Sequence, residues 1–271
     1  MPERDPNIDS PGPDDPTSVR FRITTYNVHR CLGVDGQLSP RRIAEVIAAC
    51  EPDIVALQEL DVGRLRTGGV DQAHAVASEL GMQLHFHPAV KVLEELYGDA
   101  ILTARPSRLV KAGALPGPAR WPELEPRGAL WAVIEMDGVA LNVVNTHLGL
   151  SRPDRTAQVE ELLGPRWLGD PRCRDPVILL GDFNAPPRTR AYRRLARVLR
   201  DAQLAAGHRW PRATFPAYLP VLPLDHVFVS RSVEVLGTEV VRTDLTRVAS
   251  DHLPLSVDMR LGWAAGTGAG P

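Results

Sequence analysis

Six short polar clusters lie at the ends of apolar stretches, and they are spread over most of this chain. In chain order the clusters are Thr25-Tyr26-Asn27-Val28-His29, Leu57-Gln58-Glu59, Asn145-Thr146-His147-Leu148, Gly181-Asp182-Phe183-Asn184, Leu224-Asp225-His226-Val227 and Ser250-Asp251-His252-Leu253-Pro254-Leu255. The apolar stretches beside them have the length and composition of buried strands. Because α/β proteins place the polar groups of a site at strand ends, the clusters predict one α/β unit with one shared site.

The length and composition allow one sizeable core. The chain has 271 residues, and 44% of them are apolar, which is typical of a single globular domain. We predict that residues 19–262 form this domain. Residues 1–18 are acidic and proline-rich, and residues 263–271 are rich in glycine and alanine, so we predict two disordered tails.

The net charge and the cysteines indicate which binding partners and which cellular compartment to expect. The formal net charge of -2 creates no strong field toward nucleic acid or an anionic membrane. Cys31, Cys50 and Cys173 have no metal-ligand spacing and form no even set, which is typical of a reducing compartment. The sequence shows neither a signal peptide nor an apolar run long enough for a transmembrane segment. We expect a cytoplasmic protein, and we expect a monomer.

Hydrophobic periodicity and turn residues predict more strands than helices. The predicted strands are Val19–Thr25, Ile54–Leu57, Ala100–Thr103, Leu130–Glu135, Val139–Asn145, Val177–Leu180, Val227–Ser230 and Leu253–Met259. The predicted helices begin at Ser39-Pro40 or run over Asp71–Leu80, Asp154–Leu163 and Thr189–Leu199. Two strand–helix–strand passages, one ending at Glu59 and one at Asp182, indicate a pseudo-symmetric pair of layers. This order favours an α/β (α+β) fold in which two packed sheets are flanked by helices.

Glu59 and Asn27 are candidate groups around a divalent cation. A hard cation such as Mg²⁺ is often held by one or two carboxylates, with water and substrate oxygens completing its shell. Glu59 follows an apolar strand and suits that role, although an exposed glutamate at a strand end has the same local sequence. The Asn27 amide can orient Glu59 or a metal-bound water, whereas a turn asparagine is the structural alternative.

Asp182 and Asn184 are candidates for activating and positioning a water molecule. Residues two apart in an extended segment face the same side, so both side chains can reach one water. Asp182 would accept the proton of that water, and Asn184 would fix its position or bind the phosphate. An Asx turn that closes the strand is the structural alternative.

Two histidines and two aspartates complete the candidate set. His147 ends a hairpin strand, where an imidazole either stabilises a phosphoryl or leaving oxygen or is purely structural. Asp225 can hold one nitrogen of His252 and raise the basicity of the other. His252 would then transfer a proton or stabilise a phosphate. Asp251 can be a second metal ligand beside His252 if the segment bends, and Pro254 favours a bend.

In this combination and order, the clusters resemble those of the endonuclease/exonuclease/phosphatase superfamily. That superfamily includes pancreatic deoxyribonuclease, exonuclease III-like repair nucleases, bacterial sphingomyelinases and inositol polyphosphate 5-phosphatases. The resemblance covers residues 20–260 and implies a four-layer sandwich of two mixed β-sheets, packed face to face and flanked by helices. The roles it implies are metal binding for Asn27, Glu59 and Asp251, and catalysis for His147, Asp182, Asn184, Asp225 and His252.

Further stretches resemble a narrower branch of short bacterial members. They are Asp61-Val62-Gly63-Arg64 with Gly69-Val70-Asp71-Gln72, Pro126-Arg127-Gly128-Ala129, and Thr214-Phe215-Pro216. The resemblance implies that Arg127 and Arg155 lie near the phosphate, and surface arginines paired with acids are the alternative. One departure is Asp99, where many relatives have asparagine. Its carboxylate would either repel an anionic substrate or assist a metal.

The residues and the resemblance together predict a metal-dependent hydrolase of phosphate esters, with Mg²⁺ as the expected cofactor and Mn²⁺ as the alternative. A small-molecule or phospholipid-type phosphodiester is the favoured substrate. Nucleic acid is less favoured. The arginines of 188–200 would track phosphates in a DNA-binding protein, but a solvated helix face is the favoured alternative, because arginine is the usual basic residue of this chain. The remaining alternatives are a phosphomonoesterase for a sugar, inositol or nucleotide phosphate and an inactive binding module.

Overall fold

Twelve strands within the described residues 18–92, 95–117 and 125–262 form two sheets in the computed structural model. The strands are β1 (Ser18–Asn27), β2 (Ile54–Val62), β3 (Gln83–Val92), β4 (Glu95–Thr103), β5 (Ser107–Ala114), β6 (Gly128–Met136), β7 (Val139–His147), β8 (Val177–Asp182), β9 (Arg200–Asp201), β10 (Asp225–Val229), β11 (Val233–Val240) and β12 (Leu255–Gly262). The α-helices in these ranges are α1 (Pro40–Ala49), α2 (Gln72–Leu80), α3 (Arg152–Leu163), α4 (Arg190–Leu195), α5 (Ala202–Ala205) and α6 (Thr246–Ala249). The predicted tails lie outside the described residues, except for Ser18, which begins β1.

The two sheets are built on a similar plan. The first has the strand order β11-β12-β1-β2-β4-β3, and the second has the order β5-β6-β7-β8-β10-β9. Each sheet contains one parallel pair, β1 with β2 and β7 with β8, and its other pairs are antiparallel. The helices α1 and α3 connect these parallel pairs in the chain. They belong to the two strand–helix–strand passages that the sequence predicts.

Three apolar clusters hold four layers together. The central cluster lies between the sheets and contains Ile23 and Leu180. A second cluster packs α1 and α2 on the first sheet through residues such as Ile47, and a third packs α3 and α4 on the second through Val159 and Leu195. Full burial of one such side chain contributes about 1.5–3 kcal/mol. The predicted four-layer sandwich of two mixed sheets flanked by helices is confirmed.

The first two helices begin where their sequences predict. Ser39 Oγ accepts a hydrogen bond from the Arg42 N–H at 3.1 Å, and an Asp71 oxygen accepts from the His74 N–H at 2.9 Å. Gly81 ends α2 with a φ of 63°, as a C-terminal glycine commonly does. The longest helix in the described ranges, α3, has 12 residues. A bilayer span needs about 20 apolar residues, and no helix in those ranges meets that requirement.

The hydrophobic pattern does not predict three of the edge strands, and it predicts one helix that is longer than the observed one. β3, β5 and β11 lie at sheet edges, and partial exposure along both of their faces leaves only a weak alternation of apolar and polar residues. The predicted helix Thr189–Leu199 is wrong in its second half, since α4 ends at Leu195. The chain leaves the helix there because Arg200 and Asp201 pair with β10.

Candidate active site

The carboxyl ends of the two parallel strand pairs meet at one end of the sandwich. In the first sheet, Asn27 ends β1 and lies in register with Gln58 of β2. In the second, His147 ends β7 in register with Asp182, the last residue of β8. β10 begins at Asp225, opposite Asp182. The fold therefore brings Asn27 and Asp182, 155 positions apart, within 3.0 Å of each other.

A buried amide pair joins the two sheets beneath this site. Gln58 Nε2 donates to Asn145 Oδ1 at 2.8 Å, and Asn145 Nδ2 donates to the backbone oxygens of Leu57 and Ala100. Both amide side chains are fully buried. A buried donor left unpaired costs about 1–3 kcal/mol, so these hydrogen bonds favour one position of the second sheet on the first.

Glu59 reaches the site through a bulge in β2. The pairing of β2 with β4 shifts register between Leu57 and Leu60. Glu59 itself has a φ of 65°, a left-handed conformation that is uncommon for residues other than glycine. Asn27 Nδ2 donates at 3.0 Å to Glu59 Oε1 and at 3.0 Å to Asp182 Oδ2. One amide nitrogen thus holds two carboxylates together.

The Asn27 amide presents its nitrogen, rather than its oxygen, to these carboxylates. Its Oδ1 accepts from the His29 N–H at 3.1 Å, and its backbone oxygen accepts from Ser250 Oγ at 2.8 Å. This orientation favours a role for Asn27 in positioning Glu59 and Asp182 over direct coordination of a cation.

Asp182 and Asn184 are linked by a tight turn. The Asn184 N–H donates to Asp182 Oδ1 at 2.8 Å, and Asn184 has a φ of 47°. The segment is therefore an Asx turn, and the extended geometry expected from the two-residue spacing is wrong. The Asn184 side chain donates to the Leu148 oxygen at 2.9 Å and lies 3.1 Å from His147 Nε2. Asn184 still reaches the site, but by a different backbone path.

Asp225 and His252 form a buried hydrogen-bonded pair. Asp225 Oδ2 accepts from His252 Nδ1 at 2.8 Å and from Thr214 Oγ1 at 2.5 Å. The Phe215 ring packs on the imidazole, with centroids 4.8 Å apart. Burial lowers the pKa of His252, but Asp225 and Asp182 outweigh burial, so its pKa is raised. A protonated imidazole therefore faces Asp182, with Nε2 at 3.7 Å from Oδ2.

His147 is also buried, but its neighbours favour the uncharged ring. Arg127 Nη1 lies 3.3 Å from Nδ1, and Asn184 Nδ2 lies 3.1 Å from Nε2. Burial lowers the pKa of His147 well below its ordinary value, and the charges of Arg127 and His252 lower it further. Its Nε2 is 3.4 Å from Asp182 Oδ2. The pKa values of the two histidines beside Asp182 are thus shifted in opposite directions.

Arg127 connects His147 to two further carboxylates. Arg127 Nη1 donates to Glu125 Oε2 at 3.2 Å, and its buried Nε has no hydrogen-bond partner among the described residues. Burial raises the pKa of the nearby Asp99 to about 7, while Arg127 opposes this rise. The unpaired donor of Arg127 suits an oxygen of a phosphate group.

Arg155 lies at the rim of the site. Its Nη1 donates to the backbone oxygens of Gly149 at 3.1 Å and Leu150 at 2.5 Å. Burial lowers its pKa, and the charge of Arg152 adds to that effect. Arg155 therefore holds the loop that follows β7, and it does not contact the carboxylates at the centre.

Asp251 also lies at the rim, in the segment that precedes β12. About a third of its side chain is exposed, and its Oδ1 is 3.9 Å from His29 Nδ1. Residues 251 and 252 form a bend rather than a strand, as Pro254 predicts. Within this bend, Asp251 lies beside His29, whereas His252 lies beside Asp225 and Asp182.

The donor set fits a hard divalent cation. The carboxylates of Glu59 and Asp182 share one amide nitrogen, and their ion pairs within 4 Å in the described residues are with histidines. Burial raises the pKa of Asp182, His252 lowers it, and Asp225 raises it again. A cation bound through oxygen ligands such as Glu59 and Asp251 would offset this negative charge.

A second set of candidate ligands is less suited to a metal. Single atoms of Asp182, Asp225 and His252 lie within 4.8 Å of one another. However, Asp225 Oδ2 and His252 Nδ1 are already hydrogen-bonded to each other. A metal bound at those atoms would displace the proton that joins them. The oxygen ligands around Glu59 therefore suit a cation better than this set does.

Sequence reasoning did not assign a role to Thr214 or Phe215, which contact the Asp225–His252 pair. Both occur in the Thr-Phe-Pro stretch that resembles the bacterial branch. That stretch is the one sequence signal for these two residues, but it does not indicate that their side chains contact Asp225 and His252.

Comparison with known proteins agrees with this geometry. The sequence profile of the Endonuclease/Exonuclease/phosphatase family matches residues 24–252. The uncharacterized protein YbhP of Escherichia coli strain K12 is 26% identical over 265 residues, which cover 92% of this chain and 100% of YbhP. The solved endonuclease/exonuclease/phosphatase of Beutenbergia cavernae DSM 12333 is 23% identical, with a TM-score of 0.70, and the match covers 90% of this chain and 72% of that one.

A phosphatase shares the same fold. The mannosyl-6-phosphatase Bt3783 of Bacteroides thetaiotaomicron VPI-5482 is 19% identical, with a TM-score of 0.70, and the match covers 88% of this chain and 99% of that one. The family profile covers strands of both sheets, except for β12 and the start of β1, and it includes every candidate residue from Asn27 to His252. This chain therefore belongs to the endonuclease/exonuclease/phosphatase family, whose members hydrolyse phosphate esters.

Proposed function

We propose that this protein is a divalent-metal-dependent phosphodiesterase that hydrolyses a small-molecule or phospholipid-type phosphodiester by in-line attack of water. The observation that carries this proposal is the set of groups around Asp182. Asn27 donates to Asp182 from the first sheet, while the Asp225-bound imidazole of His252 faces it from the other side. Family membership supports the reaction class.

Asp182 is the proposed general base. Its Oδ1 accepts from Asn184 and its Oδ2 from Asn27, so the carboxylate has a defined orientation. The water oxygen bonds to phosphorus as the bond to the leaving oxygen breaks, and Asp182 takes the water proton. Burial raises the basicity of this carboxylate, which favours proton abstraction near neutral pH.

The two histidines and Asn184 are proposed to bind the phosphoryl oxygens. Asp225 occupies His252 Nδ1, so the Nε2–H of that ring is left for a negatively charged oxygen. His147 is uncharged and lies beside the Asn184 amide, so this pair positions an oxygen without adding charge. Prearranged donors of this kind stabilise charge that develops in the transition state. Arg127 would bind a further phosphate oxygen.

Glu59 is the proposed principal ligand of a divalent cation, Mg²⁺ in the first instance and Mn²⁺ as the alternative. Asp251 is proposed as a further ligand, with Asn27 positioning Glu59 through its 3.0 Å hydrogen bond. A bound cation would neutralise the non-bridging and leaving oxygens of the substrate.

An exposed apolar segment beside His252 supports a phospholipid-type substrate. Residues 215–224 contain no charged side chain, and Tyr218, Leu219 and Val221 are each at least 60% exposed. The first residue of the segment packs on His252. Grouped apolar side chains on a surface are typical of contacts with apolar ligands or lipid. The hydrocarbon part of a phosphodiester would lie here.

The arrangement of the arginine-rich segment gives less support to DNA as the substrate. Arg190, Arg193 and Arg194 lie on α4, but Arg194 pairs with Glu160 at 3.0 Å. Arg200 belongs to β9 and donates to backbone oxygens. Duplex binding uses rows of phosphate contacts, and this segment does not present its arginines as one row.

A phosphomonoesterase is the second candidate. Bt3783, which shares this fold, is a mannosyl-6-phosphatase. Arg127 beside His147 would also suit the additional negative charge of a terminal phosphate. An inactive binding module is the weakest alternative, because Glu59, Asp182 and the Asp225–His252 pair are all present.

Hydrolysis of bis-p-nitrophenyl phosphate and of p-nitrophenyl phosphate, with Mg²⁺, Mn²⁺ or chelator, tests the proposal. We expect metal-dependent cleavage of the diester. Asp182→Asn should lower kcat roughly a hundredfold to ten-thousandfold, as loss of a general base does, while Asp244→Asn at an exposed position should not. Preference for the monoester would favour the phosphatase, and near-normal activity of Asp182→Asn would overturn its role.

We also propose that the protein is a cytoplasmic monomer. Its three cysteines are buried and form no disulfide, which supports a reducing compartment. Light scattering coupled to size-exclusion chromatography should give the mass of one chain, and cell fractionation should recover the protein with cytoplasmic markers. A dimer mass or a membrane-bound fraction would contradict these expectations.

A further inference from the structure

A basic pocket lies between α3 and α4. It has a volume of about 360 Å³, and its lining includes Arg152, Arg155, Arg188, Arg190 and Arg193 but no acidic residue. Five guanidinium groups around one concavity repel one another. An anion bound in the pocket would offset that repulsion.

Three of these arginines have no internal partner. The side chains of Arg152, Arg190 and Arg193 are exposed and make no hydrogen bond or ion pair with any described residue. Arg188 lies over the Trp210 ring at 5.5 Å, a contact that leaves its N–H groups for other acceptors. The pocket therefore presents several unpaired donors in one place.

Nearby glutamates of α3 do not neutralise the pocket. Glu160 pairs with Arg194 at 3.0 Å, and Glu161 pairs with Arg166 at 2.5 Å. Both of these arginines lie outside the pocket lining. Asp182 and Asp154 partly offset the charge of Arg155, whereas the charge of the exposed Arg152, Arg190 and Arg193 is left for a group that the described residues do not supply.

One short loop connects the pocket to the candidate active site. Asn184 Nδ2 donates to the Leu148 oxygen at 2.9 Å, and Arg155 Nη1 donates to the oxygens of Gly149 and Leu150. Burial lowers the pKa of Arg155, and the charge of Asp182 opposes this, so this lining arginine lies within electrostatic reach of the proposed general base. A small molecule with two phosphate groups would place one of them at Asp182 and the other in the pocket.

We propose that the arginine pocket binds a second phosphate group of the substrate, so that the preferred substrate is a small molecule with two phosphate groups. Cleavage of one phosphoester at Asp182 rests on the proposed function, whereas anion binding by the pocket does not. Arginine matches a phosphate through two parallel N–H donors. A half-open concavity of about 360 Å³ between two helices accommodates one small anionic group.

Binding is tested first, without metal or turnover. The melting temperature is measured in chelator with inorganic phosphate and with chloride at equal ionic strength, because a ligand of the folded state stabilises it. Phosphate should raise the melting temperature of the wild type. The double variant Arg190→Gln/Arg193→Gln should lose most of this increase, and Arg197→Gln/Arg231→Gln, which removes the same charge at exposed positions outside the pocket, should keep it.

Turnover is tested with two substrates that differ by one phosphate. They are the p-nitrophenyl ester of thymidine 5′-phosphate and the same ester with an added 3′-phosphate. The added phosphate should raise kcat/KM of the wild type roughly tenfold to a hundredfold, the factor expected for hydrogen bonds between charged groups. That preference should disappear in the pocket variant and persist in the control variant.

Each result has one meaning. Equal phosphate stabilisation in all three proteins, or an equal preference for the 3′-phosphate in the pocket variant, overturns the proposal. If phosphate binding is lost in the pocket variant but none of the proteins cleaves bis-p-nitrophenyl phosphate, the proposed function is wrong and the assignment of the pocket as an anion-binding site stands. Inhibition by oligothymidylate that weakens equally in both double variants indicates a polymer ligand and overturns the small-molecule assignment.

Discussion

At the scale of single residues, Glu59 and Asn184 have backbone conformations that their neighbours impose. Their φ angles of 65° and 47° are left-handed. Asparagine tolerates this conformation, whereas it costs about 1–3 kcal/mol for a residue such as Glu59. Hydrogen bonds with Asn27 and Leu148 hold the two side chains in place. The backbone strain thus occurs at the residue proposed to bind the cation.

The Thr214 hydroxyl is expected to support the Asp225–His252 pair. It donates to Asp225 Oδ2, the oxygen that also accepts from His252. Thr214→Val removes a hydrogen bond to a charged group, typically about 1.5–3 kcal/mol. We expect kcat for bis-p-nitrophenyl phosphate to fall roughly tenfold or more, with Thr214→Ser close to wild type. Equal rates for the valine and serine variants would contradict this role.

At the scale of elements, the end of β8 depends on a glycine. Gly181 has a φ of 138°, and an added Cβ would overlap the Thr146 backbone oxygen on β7. Gly181→Ala should lower the free energy of unfolding by about 1–3 kcal/mol and reduce kcat, because Asp182 follows directly. Urea denaturation and steady-state kinetics measure the two effects.

Gly237→Ala in β11 is the matched control for this substitution. A Cβ added at Gly237 would lie 3.7 Å from Asp258 Oδ2, which is an ordinary van der Waals contact. We expect its free energy of unfolding to change by less than about 1 kcal/mol. Similar losses for both alanine variants would argue against a special requirement at Gly181.

The junction of β9 and α5 should make stability depend on acid pH. Asp201 accepts from Tyr192 Oη at 3.1 Å, from His226 Nδ1 at 3.2 Å and from two N–H groups of α5. Burial acts to raise the pKa of Asp201, but the hydrogen bond and charge of His226 and the other donors outweigh it, so the pKa is lowered. Such a carboxylate stabilises the fold above its unfolded-state pKa of about 3.9 and loses that contribution as pH falls toward its folded-state pKa.

The Asp201→Asn variant should therefore lose less stability on acidification than the wild type. Its melting temperature should be lower at neutral pH and should decline less steeply below about pH 5. Asp244→Asn, at an exposed position, should keep the wild-type slope. Parallel melting curves for Asp201→Asn and wild type across this range would refute the linkage.

At the scale of the whole molecule, the proposed cation lies where the two sheets meet. Glu59 comes from the first sheet, and the carboxylate of Asp182, which shares Asn27 with it, comes from the second. Mg²⁺ or Mn²⁺ at a hundred times the dissociation constant would stabilise the fold by about 2.7 kcal/mol. We expect the melting temperature to rise by several degrees, and chelator to reverse the rise.

Glu59→Gln should abolish this metal-dependent stabilisation. Glu79→Gln, at an exposed position on α2, removes the same charge and should retain it. Differential scanning fluorimetry at constant ionic strength measures both variants. If Glu59→Gln keeps the full metal-dependent rise in melting temperature, Glu59 is not the principal ligand and the cation binds elsewhere.

Much of the frame of the molecule could be predicted from local sequence. The strands that end at His147 and Asp182 are central, and the apolar runs before these residues are buried on both faces. The strand that ends at Asn27 is recognised instead by the alternation of its first half. The start of α1 at Ser39 follows from hydrogen bonding within one turn. Edge strands such as β5 could not be predicted in this way, because partial exposure of both faces leaves no regular alternation of apolar and polar residues.

The order of strands, the polar residues at their ends and the family could be read from the chain, since each depends on neighbouring residues or on motif order. The contact of Thr214 with Asp225, the shared Asn27 amide and the arginine pocket could not. These features depend on how the sheets and helices pack, and they join atoms whose residues are far apart in sequence. Local periodicity carries no information about such contacts.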